Sequence, residues 1–132
     1  MSSAGQNTGS QSPSSDIGEF RAVKTDGSGN VTPTSGAGDE AYAYTGPQSA
    51  SSTDDSVTVR YPAIGSVKCT VDGNVSAISK GDKLMPKGSG SGKLRKHDSA
   101  SGSRYVARAL EPSSDDGDVI EVLVFANQQV TT

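Results

Sequence analysis

The chain has 132 residues, a size that suits one domain or two very small interlocked halves and excludes a catalytic domain joined to a regulatory one. Only 31% of its residues are hydrophobic and it has no Trp, so any core must be thin and help from oligomerisation or a partner surface is expected. A net charge of −3 excludes a broad cationic field of the kind that binds nucleic acid or anionic membrane without sequence preference.

Residues 1–18 hold six Ser and three Gly, and no Lys or Arg. Such a segment buries too little to offset its ordering entropy, so it is expected to be a flexible arm. With no basic residue before Arg21 and no apolar core, it does not read as a secretory signal.

From Phe20 onward the sequence alternates as β-strands, expected near Phe20–Lys24, Asn30–Pro33, Ala41–Thr45, Ser56–Tyr61, Ser66–Val71, Val75–Ile78, Asp82–Met85, Lys93–His97, Arg104–Leu110 and Val119–Phe125. Asp72-Gly73-Asn74 reads as a hairpin turn, and Asp26 to Asn30 and Gly88 to Gly92 as longer ones. No stretch shows a capped helical period. The expected fold is all-β: a small barrel or barrel-like sandwich.

Gly27-Ser28-Gly29-Asn30-Val31 recurs as Gly90-Ser91-Gly92-Lys93-Leu94, an offset of 63 that also carries Tyr42 onto Tyr105 and Val57-Thr58-Val59 onto Ile120-Glu121-Val122. The chain therefore reads as two weakly similar β repeats within a single domain over 19–126. The halves span about 20–61 and 82–125, a hairpin at 66–78 links them, and 127–132 forms a C-terminal tail.

Little in this chain equips it for chemistry. One His and one Cys cannot make a four-ligand zinc site, and no Gly-x-Ser-x-Gly elbow is present. The Gly-Ser-Gly-Ser-Gly run at 88–92 lacks the Lys-Ser/Thr ending of a phosphate loop, and Asp115-Asp116-Gly117-Asp118 lacks the spacing and closing Glu of an EF-hand. Cys69 alternates with Val67 and Val71 and reads as a buried structural thiol. No enzyme activity, cofactor or metal is expected.

Three surface features stand out. Lys80, Lys83, Lys87, Lys93, Arg95 and Lys96 crowd one region, either as solvated strands and their loop or as a patch for an acidic protein surface. Tyr42 and Tyr44 share a face and suit core packing better than a sugar platform. In Val119–Phe125, Val119, Leu123 and Phe125 make a second apolar face, which requires either cover on both sides or a subunit contact.

The pieces Ile78-Ser79-Lys80-Gly81-Asp82-Lys83-Leu84, Ala107-Arg108-Ala109-Leu110-Glu111 and Asp116-Gly117-Asp118-Val119-Ile120-Glu121-Val122-Leu123, in that order, resemble the small capsid cement, or head decoration, proteins of tailed bacteriophages. The resemblance covers Val57 to Phe125 well and Phe20 to Tyr61 weakly through the repeat. It implies a β-barrel-like structural protein, made in the host cytoplasm, that binds and stabilises the outer surface of an assembled capsid. Its partners would then be the major capsid protein and further copies of itself, a trimer among the options. The arm (Ser2, Gln6, Ser10, Ile17) and the apolar face (Leu123, Phe125) are the candidate contacts with shell or sister subunit. The competing reading is an adhesin or carbohydrate-binding module that stacks sugar on Tyr42, Tyr44 and Tyr105.

Overall fold

A computed structural model describes residues 8–63, 65–88 and 91–132. It contains ten strands: β1 (Thr8–Pro13), β2 (Ala22–Thr25), β3 (Asn30–Pro33), β4 (Ala43–Thr45), β5 (Val57–Arg60), β6 (Ser66–Asp72), β7 (Lys83–Pro86), β8 (Leu94–Lys96), β9 (Arg104–Ala109) and β10 (Asp116–Val130). They close into two five-stranded barrels, one ordered β1-β3-β2-β4-β5 and the other β10-β6-β8-β7-β9.

Closure removes the exposed sheet edges that a short-stranded, Ser-rich chain could not otherwise protect. The second barrel repeats the first strand for strand. β1 is parallel to β3 and antiparallel to β5, as β6 is to β8 and β10, and the remaining pairs match in the same way.

The registers also map onto one another. Pro13 opposes Val31 as Val71 opposes Leu94, Val23 opposes Pro33 as Leu84 opposes Lys96, and Thr45 opposes Val59 as Ala109 opposes Val122. The offset of 63 thus holds for β3 onto β8 and β5 onto β10. In β4 it becomes 64, because Ala43 and Ala107 occupy the same place opposite Val23 and Leu84, so Tyr42 and Tyr105 are not structural equivalents. Each repeat is a whole barrel rather than half of one.

This duplication corrects the expected division of the chain. The supposed arm contributes a strand, since Thr8–Pro13 pairs with β3 and β5, and Ile17 is 1% exposed and bridges Ala50. Its counterpart is β6, so residues 66–78 do not form a linking hairpin. Asp72 turns its carboxylate onto the N–H groups of Asn74 and Val75, and Gly73 N–H donates to Asp115 C=O, drawing the chain sideways toward Ser113. The expected strand Val75–Ile78 reduces to a single bridge between Ile78 and Ser113. β10 runs on to Val130, so most of the expected tail is strand.

Each barrel has its own apolar centre. Val23, Val31, Ala43, Val57 and Val59 fill the first, and Cys69, Val71, Leu84, Leu94, Val106 and Val122 belong to the second. Tyr44, on β4 of the first barrel, packs with the second cluster and so joins the two.

Backbone bonds reinforce that seam. Ala22 N–H donates to Gly92 C=O (2.8 Å), Thr70 N–H to Phe20 C=O (2.7 Å) and Arg104 N–H to Ala37 C=O (2.9 Å). Phe20 makes its bond from a φ of 53°, a strained conformation for an aromatic residue that this junction holds in place. The thin core expected from composition is thus divided between two small barrels that support each other.

Candidate docking surface

β10 bends the sequence alternation into a half-open face. Ile120, Val122 and Val124 point into the barrel and are buried, while Glu121, Leu123 and Phe125 point outward and are half-buried. Of the two alternatives for this strand, cover on both sides does not hold. Val119, at the start of the same face, is 45% exposed.

After Val124 the strand loses register with β9 and regains it at Gln129 opposite Tyr105. The irregularity lifts Phe125 against Tyr105, edge to face at a centroid separation of 5.0 Å. A groove of about 590 Å³ lies on one side, between Pro62, Ala63 and Gly65 of the inter-barrel connection and Leu123 to Asn127. A second of about 390 Å³ lies on the other, lined by Tyr105, Arg108, Leu123, Phe125, Asn127 and Gln129. Leu123 and Phe125 form the ridge common to both.

Cations border this ridge. The Lys83 ammonium stands 5.2 Å from the centre of the Tyr105 ring, and Arg108 Nε–H donates to the Tyr105 hydroxyl at 3.2 Å. Such placement over an aromatic face stabilises the cation modestly. Elsewhere in the basic cluster three of the charges are already matched. Lys87 pairs with Asp72 at 2.6 Å, Lys93 with Asp116 at 2.9 Å and Lys96 with Asp82 at 3.7 Å.

The candidate contacts fall in separate places. Ser2 and Gln6 lie outside the described residues. Ser10 is exposed on the first barrel, opposite Thr58, and lines neither groove. Ile17 is a core residue, because its side chain fills the first barrel beside Val57 and Ala50, and it is withdrawn as a contact. Leu123 and Phe125 do share one surface. The sequence pointed to this strand but missed Pro62, Ala63, Arg108 and the pairing of Arg108 with Lys83, because alternation identifies outward residues and says nothing of which strand lies alongside.

The tyrosine platform is not assembled. Tyr44 is buried in the core, where loss of solvation pushes its hydroxyl well above the usual range. Tyr42 packs edge-on against Tyr61 at 5.6 Å on the first barrel, whereas Tyr105 belongs to the second. Cys69 is fully buried and its thiol is pushed up to about 12 by desolvation, as a structural cysteine requires. Among the described residues no three His, Cys, Asp or Glu side chains converge as metal ligands. In the acidic turn, Asp116 is taken by Lys93 and Asp118 by the Ser113 hydroxyl.

No family model and no curated protein matches the sequence. The fold is similar to a solved structure, the N base of the head fiber gp8.5 of bacteriophage phi29. The two superpose with a TM-score of 0.64 over 92% of this chain and 96% of that one, at 14% identity. The likeness therefore extends over both barrels, and at that identity it is a likeness of fold.

Proposed function

We propose that this chain is a structural protein of a tailed-phage head that binds the outer surface of the assembled capsid and stabilises it. The observation that carries the reading is the end-to-end agreement of fold with a phage head fiber base, 92% of one chain on 96% of the other. It adds to the ordered motifs between Ile78 and Leu123 that resemble capsid decoration proteins.

The physical character of the molecule suits that role. A decoration protein needs a rigid body with a contact of about 1,000 Å² or more, or many weaker contacts sharing one lattice. Two closed barrels tied through their backbones supply the rigidity, and the Leu123/Phe125 ridge with its two grooves supplies a contact. The partners on this reading are the major capsid protein and further copies of the chain, the role is non-enzymatic, and the site of action is the virion exterior after synthesis in the host cytoplasm.

Immunogold electron microscopy with antibody against the purified chain, applied to intact particles of the virus that encodes it, tests the location. Gold on the head is expected. Labelling confined to tails, or no protein in purified particles, contradicts the proposal.

A further inference from the structure

Strand register places Lys83 of β7 directly opposite Arg108 of β9, and Arg108 directly opposite Leu123 of β10. All three point outward, Lys83 and Arg108 being exposed and Leu123 half-buried. Like charges directly opposite on neighbouring strands destabilise a sheet.

Among the described residues no carboxylate oxygen lies within 4.0 Å of the Lys83 or Arg108 side-chain nitrogens. The nearest in sequence, Asp82, accepts from Ser79 N–H and faces Lys96, and Glu121, on the same outward face of β10, accepts from the Ser66 hydroxyl at 2.8 Å. Beside the two cations lies the apolar ridge of Leu123 and Phe125, with the Tyr105 ring beneath Lys83.

We infer that the outer face of β7, β9 and β10 receives an acidic segment of a protein partner, with a carboxylate seated between Lys83 and Arg108 and an apolar side chain laid against Leu123 and Phe125. Neighbouring strands stand about 5 Å apart and residues i and i+2 of one strand about 7 Å apart. A carboxylate midway between Lys83 and Arg108 stands one and a half strand spacings, about 7 Å, from Leu123, which matches a carboxylate and an apolar side chain two residues apart on an extended segment. The carboxylate gains charge-assisted hydrogen bonds and removes the cross-strand repulsion. Covering the ridge removes apolar surface from water. Naming the phage shell as the owner of that segment rests on the function proposed above; the chemistry of the face does not.

The test is a titration of the isotopically labelled full chain, followed by nuclear magnetic resonance, with a blocked extended peptide carrying glutamate and leucine two residues apart. Its glutamine counterpart and sialyllactose are the comparison probes. Shifts centred on Lys83, Tyr105, Arg108, Leu123 and Phe125 are expected with the glutamate peptide. Affinity should fall about tenfold or more for the glutamine peptide, the loss expected of charge-assisted contacts.

A K83Q/R108Q chain, which keeps both side chains long and polar, should retain its fold and lose the response, and L123S should weaken it separately. Absence of these shifts, equal binding of the glutamine peptide, or a response to sialyllactose alone overturns the inference. Binding of wild-type and K83Q/R108Q chains to shells is measured in parallel. Equal shell binding by both overturns the assignment of that segment to the shell and leaves the capsid role standing. Peptide binding by a chain that does not bind shells supports the acidic-segment face and removes the capsid role.

Discussion

The carboxamide of Gln128 forms both hydrogen bonds of a miniature β-bridge with Ala41, accepting from its N–H and donating to its C=O at 2.9 Å each. The same amide also donates to Phe125 C=O at 2.8 Å, so the end of the second barrel's last strand is fastened at once to the first barrel and to its own irregularity. Removing the side chain leaves both polar groups of buried Ala41 without a partner. Gln128→Ala should therefore lower stability by about 2–4 kcal/mol, since each unsatisfied buried group costs about 1–3 kcal/mol. Denaturant unfolding measures the loss, and a change below about 0.5 kcal/mol would show that the bridge does not hold the barrels together.

Gly92 sits in the seam at a φ of +74°, where an added Cβ would lie 2.7 Å from Ala22 C=O and 2.9 Å from the Arg21 side chain. Neither the backbone conformation nor the space tolerates alanine. Gly92→Ala should cost about 2–3 kcal/mol, at the upper end of ordinary single substitutions. Gly88→Ala, in the same loop with open space around it, should be nearly neutral, and equal losses from the two would refute the steric account.

Asp72 has its carboxyl held below its ordinary value of 3.8, first by the hydrogen bond from Lys87 and then, against desolvation, by the N–H groups of Asn74 and Val75. Its contribution to stability is thus complete above the ordinary carboxylate range and is lost as pH falls through 3.8 toward the lower folded value. Lys87 is raised by the same bond, so its contribution persists up to about 10.5 and disappears as pH rises through the higher folded value. Melting temperatures of wild type and Asp72→Asn between pH 7 and pH 2 should converge on acidification. A gap that stays constant over that range would assign the effect to packing.

Cys69 should be silent toward thiol reagents in the folded protein. Burial raises its thiol to about 12 and leaves no accessible surface. Labelling by a chromogenic disulfide at pH 8 should follow global unfolding and accelerate in denaturant, and rapid stoichiometric labelling of native protein would contradict the described core.

Some of this architecture was legible in the sequence and some was not, for identifiable reasons. Asn30–Pro33 appeared at its true limits because a Gly-rich turn precedes it and Val31 is flanked by polar residues. The first strand, Thr-Gly-Ser-Gln-Ser-Pro, gave no signal, since it carries no large apolar side chain and is held by backbone pairing to β3 and β5. Its partner by duplication, Ser66–Asp72, is rich in apolar residues, and reading the repeat through that strand would have exposed the arm as part of the barrel. The Leu123/Phe125 face was visible as an excess of apolar residues on an otherwise alternating strand. Its cationic border was not, because Lys83 and Arg108 are brought together by sheet register alone.

The most direct test of the capsid role is co-sedimentation of the full chain with undecorated mature shells of its own virus, together with the heat stability of the decorated particles. The expected result is saturable binding in a fixed ratio to the major shell protein and a higher temperature of shell disruption. A well-folded chain that stays in the supernatant at every concentration, and leaves shell disruption unchanged, would contradict the account.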